Sequence, residues 1–300
     1  MKNILVTICG LAVAFAGCKE HGTAIDFGGN ALPQTTYVVS PVPVSNPHQI
    51  LVEEFTGQGC TNCPEGHVDL DKISSQNPGR INVISMYGDF SPESVPPGGS
   101  VNDFRDAAAV NILLGIYGSK SPIPCAGIDR SVNAVNGNLM QVGSSSWDGF
   151  ILAQLGITDS VNLSVKSSYD PSKKLATITA LVTYTQPLST QQNLSIVVVE
   201  DSIYDKQESF DTSPITLDHY LFLDVFRGMV TSVPAGDKLS IDGASDIKEA
   251  GRSFNKVYAY ALPVKSPAII PSHCRVIAFV NNAIGADKRV LQSAQCKLAP

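Results

Sequence analysis

The chain has 300 residues, with 27 acidic against 21 basic side chains, a formal charge of −6 and a charged fraction of only 16%. That balance, with no cluster of lysine or arginine, excludes a nucleic-acid partner, and the length suffices for two domains of about 100 to 200 residues each. A charged fraction well below the usual level of about 25%, together with abundant Ser, Thr, Asn and Gly, fits a β-rich envelope protein.

Residues 1–17 read as a lipoprotein signal peptide. Lys2 supplies a positive start, Ile4 to Gly17 is an uncharged apolar run too short to span a bilayer, and the small residues Ala16 and Gly17 precede Cys18. Cleavage there leaves Cys18 first in the mature chain, where lipid on its sulfur and amino group would tether the protein to a membrane. Several acyl chains anchor stably where one is marginal. Lys19, in place of the aspartate of inner-membrane lipoproteins, directs the expectation to the outer membrane. Residues 18–49, with Gly28-Gly29 and Pro33, Pro41, Pro43 and Pro47, read as a lipid-anchored tether.

From Ile50 the pattern becomes strand, helix, strand. Leu51-Val52-Glu53-Glu54-Phe55-Thr56 is an apolar strand that breaks at Gly57 and Gly59 and delivers Cys60-Thr61-Asn62-Cys63 into a helix start. Unpaired backbone N–H groups and the positive end of the helix dipole stabilise a thiolate at such a position. Pro64 loses little at the first helical turn, and Glu65 adds favourable negative charge. Ile81 to Tyr87 reads as a second buried strand, parallel to the first; Ser91 to Gly99 is a loop and Val101 to Tyr117 a helix. Pro122-Ile123-Pro124 leads into a short strand to Ile128, and Trp147 to Leu155 is another helix.

Together these elements resemble the thioredoxin superfamily, which predicts an α/β domain over 50–157. The resemblance implies a cis peptide at Ile123-Pro124 beside the dithiol, and a proton-relaying buried acid at Glu54. It implies that Cys60 attacks, Cys63 resolves and Pro124 presents a substrate segment. Gly59 stands where that family usually has an aromatic residue. Glu53 is expected on the opposite strand face, solvated, and His67 on the solvent side of the helix. Cys60, Cys63 and His67 could offer soft ligands to a metal, but no second pair completes a four-ligand site, so neither metal nor other cofactor is expected. Cys125 reads as a small buried hydrophobe.

Residues 158–300 alternate in strand-like runs separated by turns, which predicts an all-β domain, a β-sandwich of immunoglobulin-like architecture. Cys274 and Cys296 flank the terminal hairpin. If it folds symmetrically about Gly285 they lie opposite each other, as a structural disulfide or as two buried thiols. Asp159-Ser160-Val161 and Asp201-Ser202-Ile203 match a short O-glycosylation pattern.

The run Glu53 to Gln58 with Cys60, Asn62-Cys63-Pro64 and Gly66-His67, then Arg130 and Val276 to Asn281, resembles the outer membrane protein 28 family of bacterial surface lipoproteins. That resemblance implies an outer-membrane or surface location. Two functions stay open. One is thiol–disulfide exchange with a protein dithiol or disulfide substrate. The other is a static disulfide in an adhesin or receptor whose sandwich binds an envelope or host partner.

Overall fold

The computed structural model describes residues 32, 34–212, 215–241, 246–283, 285 and 287–299; the predicted signal peptide and Cys18 lie outside them. In chain order the elements are β1 (Thr35–Val38), β2 (Ile50–Thr56), α1 (Cys63–Gln76), β3 (Ile81–Tyr87), α2 (Ala107–Ile112), β4 (Cys125–Ile128), β5 (Met140–Val142) and α3 (Trp147–Gln154). Then come β6 (Val161–Asp170), β7 (Leu175–Tyr184), β8 (Gln192–Glu200), β9 (Ile203–Glu208), β10 (Thr216–Phe222), β11 (Val225–Met229), β12 (Asp237–Leu239), β13 (Arg252–Ala261), β14 (Cys274–Asn282) and β15 (Val290–Lys297).

Strands β2 and β3 are buried along their whole length, which explains their near-continuous apolar sequences. They pair in parallel from Ile50 opposite Ile81 to Thr56 opposite Tyr87, with α1 as the crossover. On the other side of β2 the chain adds β4 and β5, both antiparallel. Strand β5 supplies the partner of β4 that the sequence beyond Arg130 does not announce.

The expected division at residue 157 is not a division of the sheet. Strand β11 lies between β8 and β3, pairing in parallel with β3 at Val225 and Ser85, so one sheet runs β15-β14-β8-β11-β3-β2-β4-β5, with β12 also on β8. A four-stranded sheet, β1-β13-β7-β6, packs over its C-terminal part through Val182, Tyr184, Ile196, Val198, Phe254 and Val276. Alternate residues of β8 and β14, Val197, Val199, Ile277 and Phe279, point the other way, into a core with α2, Leu51 and Phe55 that spans both halves. Helices α1 and α3 bury Leu70, Ile73, Trp147 and Ile151 against Ile50, Val52 and Val83.

Three further expectations change. The tether is folded from Thr35 onward: β1 pairs antiparallel with β13, and Pro47 bridges to Thr158. The helix expected over 101–117 starts only at Ala107, because the Asp106 carboxylate accepts the free Ala108 N–H at 2.8 Å and caps it there. After Ile112 it widens into one π-helical turn, Leu113–Tyr117, and Gly118 ends it at φ +83°. The Cys274–Cys296 disulfide is absent, and both are free thiols. The hairpin register sets Cys296 opposite Val276 and leaves Cys274 accepting from the Leu298 N–H, so the two cysteines are out of step.

Candidate functional site

Cys60 and Cys63 form a disulfide with their Cα atoms 5.4 Å apart. Cys63 is the first residue of α1, after Asn62 as N-cap, with Pro64 in the first turn and Glu65 as its acid. Helix α1 turns Cys63, Gly66, Leu70 and Ile73 inward at three- and four-residue spacing, while Val68 stays exposed. Cys60 precedes the cap, so the dipole acts on it less directly than the sequence implies.

The disulfide is covered: Cys60 is 3% and Cys63 0% exposed. Two distant segments close over it. The chain around Glu93 to Val95 packs so tightly that a Cβ on Gly57 would stand 2.7 Å from the Glu93 carbonyl oxygen, and one on Gly59 2.5 Å from that of Val95. That close approach is why no aromatic residue precedes Cys60. The second cover is the β9–β10 hairpin. The Gln207 amide donates to the carbonyls of Gly57 (3.2 Å) and Cys60 (3.0 Å), and the N–H groups of Glu208 and Phe210 donate to the carbonyls of Gln58 and Thr61.

Glu54 lies behind the dithiol, fully buried on the face of β2 that α1 covers. Ser85 Oγ donates to its Oε2 at 2.8 Å, while Oε1 has no hydrogen-bond partner. Oε1 faces the first turn of α1, where a Cβ on Gly66 would be 3.2 Å away. Burial raises the carboxyl to about 8; the Ser85 bond offsets part of this and the charge of Asp71 adds to it. At neutral pH Glu54 therefore holds a proton.

His67 is not on the solvent side of α1. Its side chain is 13% exposed, with Nε2 at 3.1 Å from Thr56 Oγ1 and 3.5 Å from Glu54 Oε1, and Nδ1 at 2.8 Å from the Tyr220 hydroxyl on β10. Burial lowers it to about 4 against the pull of Asp71. Both His67 and Glu54 are thus uncharged at neutral pH, and their contact is not a salt bridge. A cavity of about 30 Å³, room for a water molecule, opens among Glu54, His67, Asp71, Ser85, Tyr220 and Asp224.

The Ile123–Pro124 peptide is cis. Pro124 lines an open groove of about 400 Å³ with Ile123, Val142, Ser144, Glu65 and Asn62, the last lying between the two cysteines. Cys125, next in sequence, is buried, and that burial pushes its thiol up to about 12. Among the described residues no group of three or more His, Cys, Asp or Glu is arranged to hold a metal.

Two buried charged clusters flank the site. Glu53 does point away from α1, but it is buried rather than solvated. Arg130 binds it through two bonds of 2.8 and 2.7 Å, Tyr117 donates to it, and the guanidinium lies 4.8 Å from the Phe279 ring centre on β14. Asp129 and Arg130 hold this geometry at φ +47°, a left-handed conformation costing non-glycine residues about 1–2 kcal/mol. His48, unremarked in the sequence, sits with Nε2 at 2.8 Å from Asp129 and Nδ1 at 2.9 Å from Asp159. The glycosylation pattern at Asp159 therefore overlaps a buried carboxylate.

A family model described as Outer membrane protein Omp28 matches residues 115–300, a stretch that begins after the dithiol helix. Among solved structures the chain is similar to HBP35 of Porphyromonas gingivalis, with a TM-score of 0.61 at 16% identity over 85% of this chain and 77% of that one. A protein of Agrobacterium tumefaciens matches at TM-score 0.47 and 14% identity, over 84% of this chain and 96% of that one. A domain of the outer membrane lipoprotein Omp28 from P. gingivalis matches at TM-score 0.32 and 14% identity, over 47% and 90%. The likeness to HBP35 is one of fold. No curated protein matches the chain.

Proposed function

Because this chain belongs to the outer membrane protein Omp28 family, we propose that it is an outer-membrane lipoprotein, tethered through lipid on Cys18, whose N-terminal half is a thioredoxin-like thiol–disulfide oxidoreductase. The observation that carries this reading is the Glu54 carboxyl: wholly buried, half-unpaired, and set under the first turn of the helix that begins at Cys63. A static disulfide gains nothing from a buried acid that costs free energy when it ionises; a disulfide that must open needs a proton there.

In the reducing direction a thiolate of an external protein dithiol attacks Cys60. The Cys60–Cys63 bond breaks, the Cys63 sulfur leaves with the electron pair, and Glu54 supplies its proton. The partner's second thiol, losing its own proton, then displaces Cys60. The partner ends as a disulfide and this protein as a dithiol; oxidation of a substrate is the reverse. Pro124 and the groove beside Asn62 would seat the partner's segment.

The full cover over the disulfide favours a second reading. Cys60–Cys63 is then a structural staple under the β9–β10 hairpin, and the immunoglobulin-like pair of sheets binds a surface partner. Equilibration of the mature protein in glutathione buffers, followed by thiol trapping, separates the two. A potential between about −120 and −270 mV supports the oxidoreductase, whereas one below about −300 mV identifies a structural bridge.

A further inference from the structure

An acid buried under a sealed disulfide needs a way to exchange its proton with water, and the dithiol side offers none. The covers over Gly57, Gly59 and Cys60 close that side, and Ser85 already donates to Oε2. The other carboxyl oxygen, unpaired, faces His67 Nε2 at 3.5 Å. Beyond the imidazole, Nδ1 meets the Tyr220 hydroxyl at 2.8 Å, and Tyr220 is partly exposed on β10.

We propose that His67 and Tyr220 form the route by which protons pass between the Glu54 carboxyl and solvent, so that a hairpin of the C-terminal half completes the site of the N-terminal half. This deepens the oxidoreductase reading and rests on it. The imidazole is flanked by two hydroxyls, Thr56 and Tyr220, each able to donate or accept, so both neutral tautomers are accommodated. A proton released by Glu54 Oε1 enters at Nε2 while the Nδ1 proton leaves to the Tyr220 oxygen, whose own proton passes to water. Reloading runs in reverse, and neither direction changes the net charge of His67.

Other groups face Glu54 from each neighbouring element. These are Ser85 and Tyr87 on β3, Asp71 on α1, and Asp224 before β11, which Arg275 of β14 holds together with Asp201. Asp71 is exposed at the cavity rim and makes no hydrogen bond to the carboxyl. The Arg275 guanidinium binds the Asp224 carboxylate directly, so Asp224 is engaged elsewhere, although burial raises it to about 7 against that pull.

The test is stopped-flow infrared spectroscopy of the full mature protein after dilution into D2O. It follows the downshift of the protonated Glu54 carbonyl band, assigned by its loss in Glu54→Gln. His67→Gln and Tyr220→Phe should each slow that shift about a hundredfold or more, the scale on which a positioned group speeds proton transfer. The double variant should be no slower than His67→Gln, and amide exchange in α1 should be unchanged. Wild-type exchange rates in both single variants would overturn the route, as would slowing matched by faster or slower α1 amide exchange. Tyr220→Phe removes one oxygen and keeps the ring packing, so it remains informative if His67→Gln folds poorly. Failure of the oxidoreductase reading registers separately, in the potential of Cys60–Cys63.

Discussion

His48 is buried and His67 largely so, each beside carboxyl groups, yet they sit in opposite charge states. Around His48, burial favours the neutral ring, but hydrogen bonds and charge from Asp129 and Asp159 together outweigh it and raise the group to about 9. Those acids are in turn supported: Asp129 accepts the Leu51 N–H and Asp159 accepts the Gln292 amide. Around His67, burial wins, because the acid in reach is 3.5 Å away and uncharged itself. A closed, fully bonded triad keeps its charge and fastens β2, β4, β6 and β15 together. An open, half-bonded one gives up charge and keeps a mobile proton.

Breaking the closed cluster has the largest expected effect. His48→Ala leaves two buried aspartates without a counter-charge and should remove about 3–5 kcal/mol of unfolding free energy at pH 7 by urea titration. A loss near zero would mean the aspartates simply take up protons and the triad fastens nothing.

The next prediction sharpens the contrast through pH. His48, raised from 6.5 to about 9 on folding, contributes fully below pH 6.5, and that contribution is lost as pH rises through about 9. Glu54, raised from 4.5 to about 8, behaves with the same sign: its neutral form is matched to the fold below pH 4.5, and stability drains as pH rises through about 8. Glu54→Gln should therefore equal the wild type in stability near pH 4 and exceed it above pH 8, by on the order of 5 kcal/mol. Equal pH profiles for the two proteins would place Glu54 in an ordinary, solvated state.

A smaller effect is expected at the cover. Gln207→Ala strips the carbonyls of Gly57 and Cys60 of a buried donor, costing about 1–2 kcal/mol, and should speed reduction of Cys60–Cys63 by dithiothreitol. An unchanged rate would mean that the hairpin does not control access. Smallest of all is Cys296→Ala, expected to change stability by less than about 1 kcal/mol, where loss of a disulfide would cost about 2–5.

Local chemistry made part of this legible from the sequence. The apolar runs of β2 and β3 and the helix start at Cys63 follow from residues close together in the chain, whereas the cis peptide at Ile123-Pro124 and the buried acid at Glu54 are legible only through the resemblance to the thioredoxin superfamily. The hairpin cover follows from neither. Gln207 meets Cys60 across 147 residues and Tyr220 meets His67 across 153, and no periodicity in either segment records the other. His67 looked solvated because the surface over it comes from that hairpin. The Cys274–Cys296 pairing failed for a different reason: symmetry about Gly285 is the wrong register, and a shift of two residues is enough to separate the sulfurs. His48, directly after the last proline of the tether, gave no sign that two distant aspartates would converge on it.

The place of β11 has a consequence in time. As the chain is made from its N-terminus, β2, β3 and β4 appear first, but the free side of β3 is matched only when Val225 arrives to pair with Ser85. Until then a nascent chain presents a bare, apolar strand edge, the kind that recruits wrong partners. The core of α2 with Val197 and Phe279 waits longer still. Folding of the first half is completed from the far end of the sequence, so a chain truncated after α3 should aggregate rather than stand as a small domain.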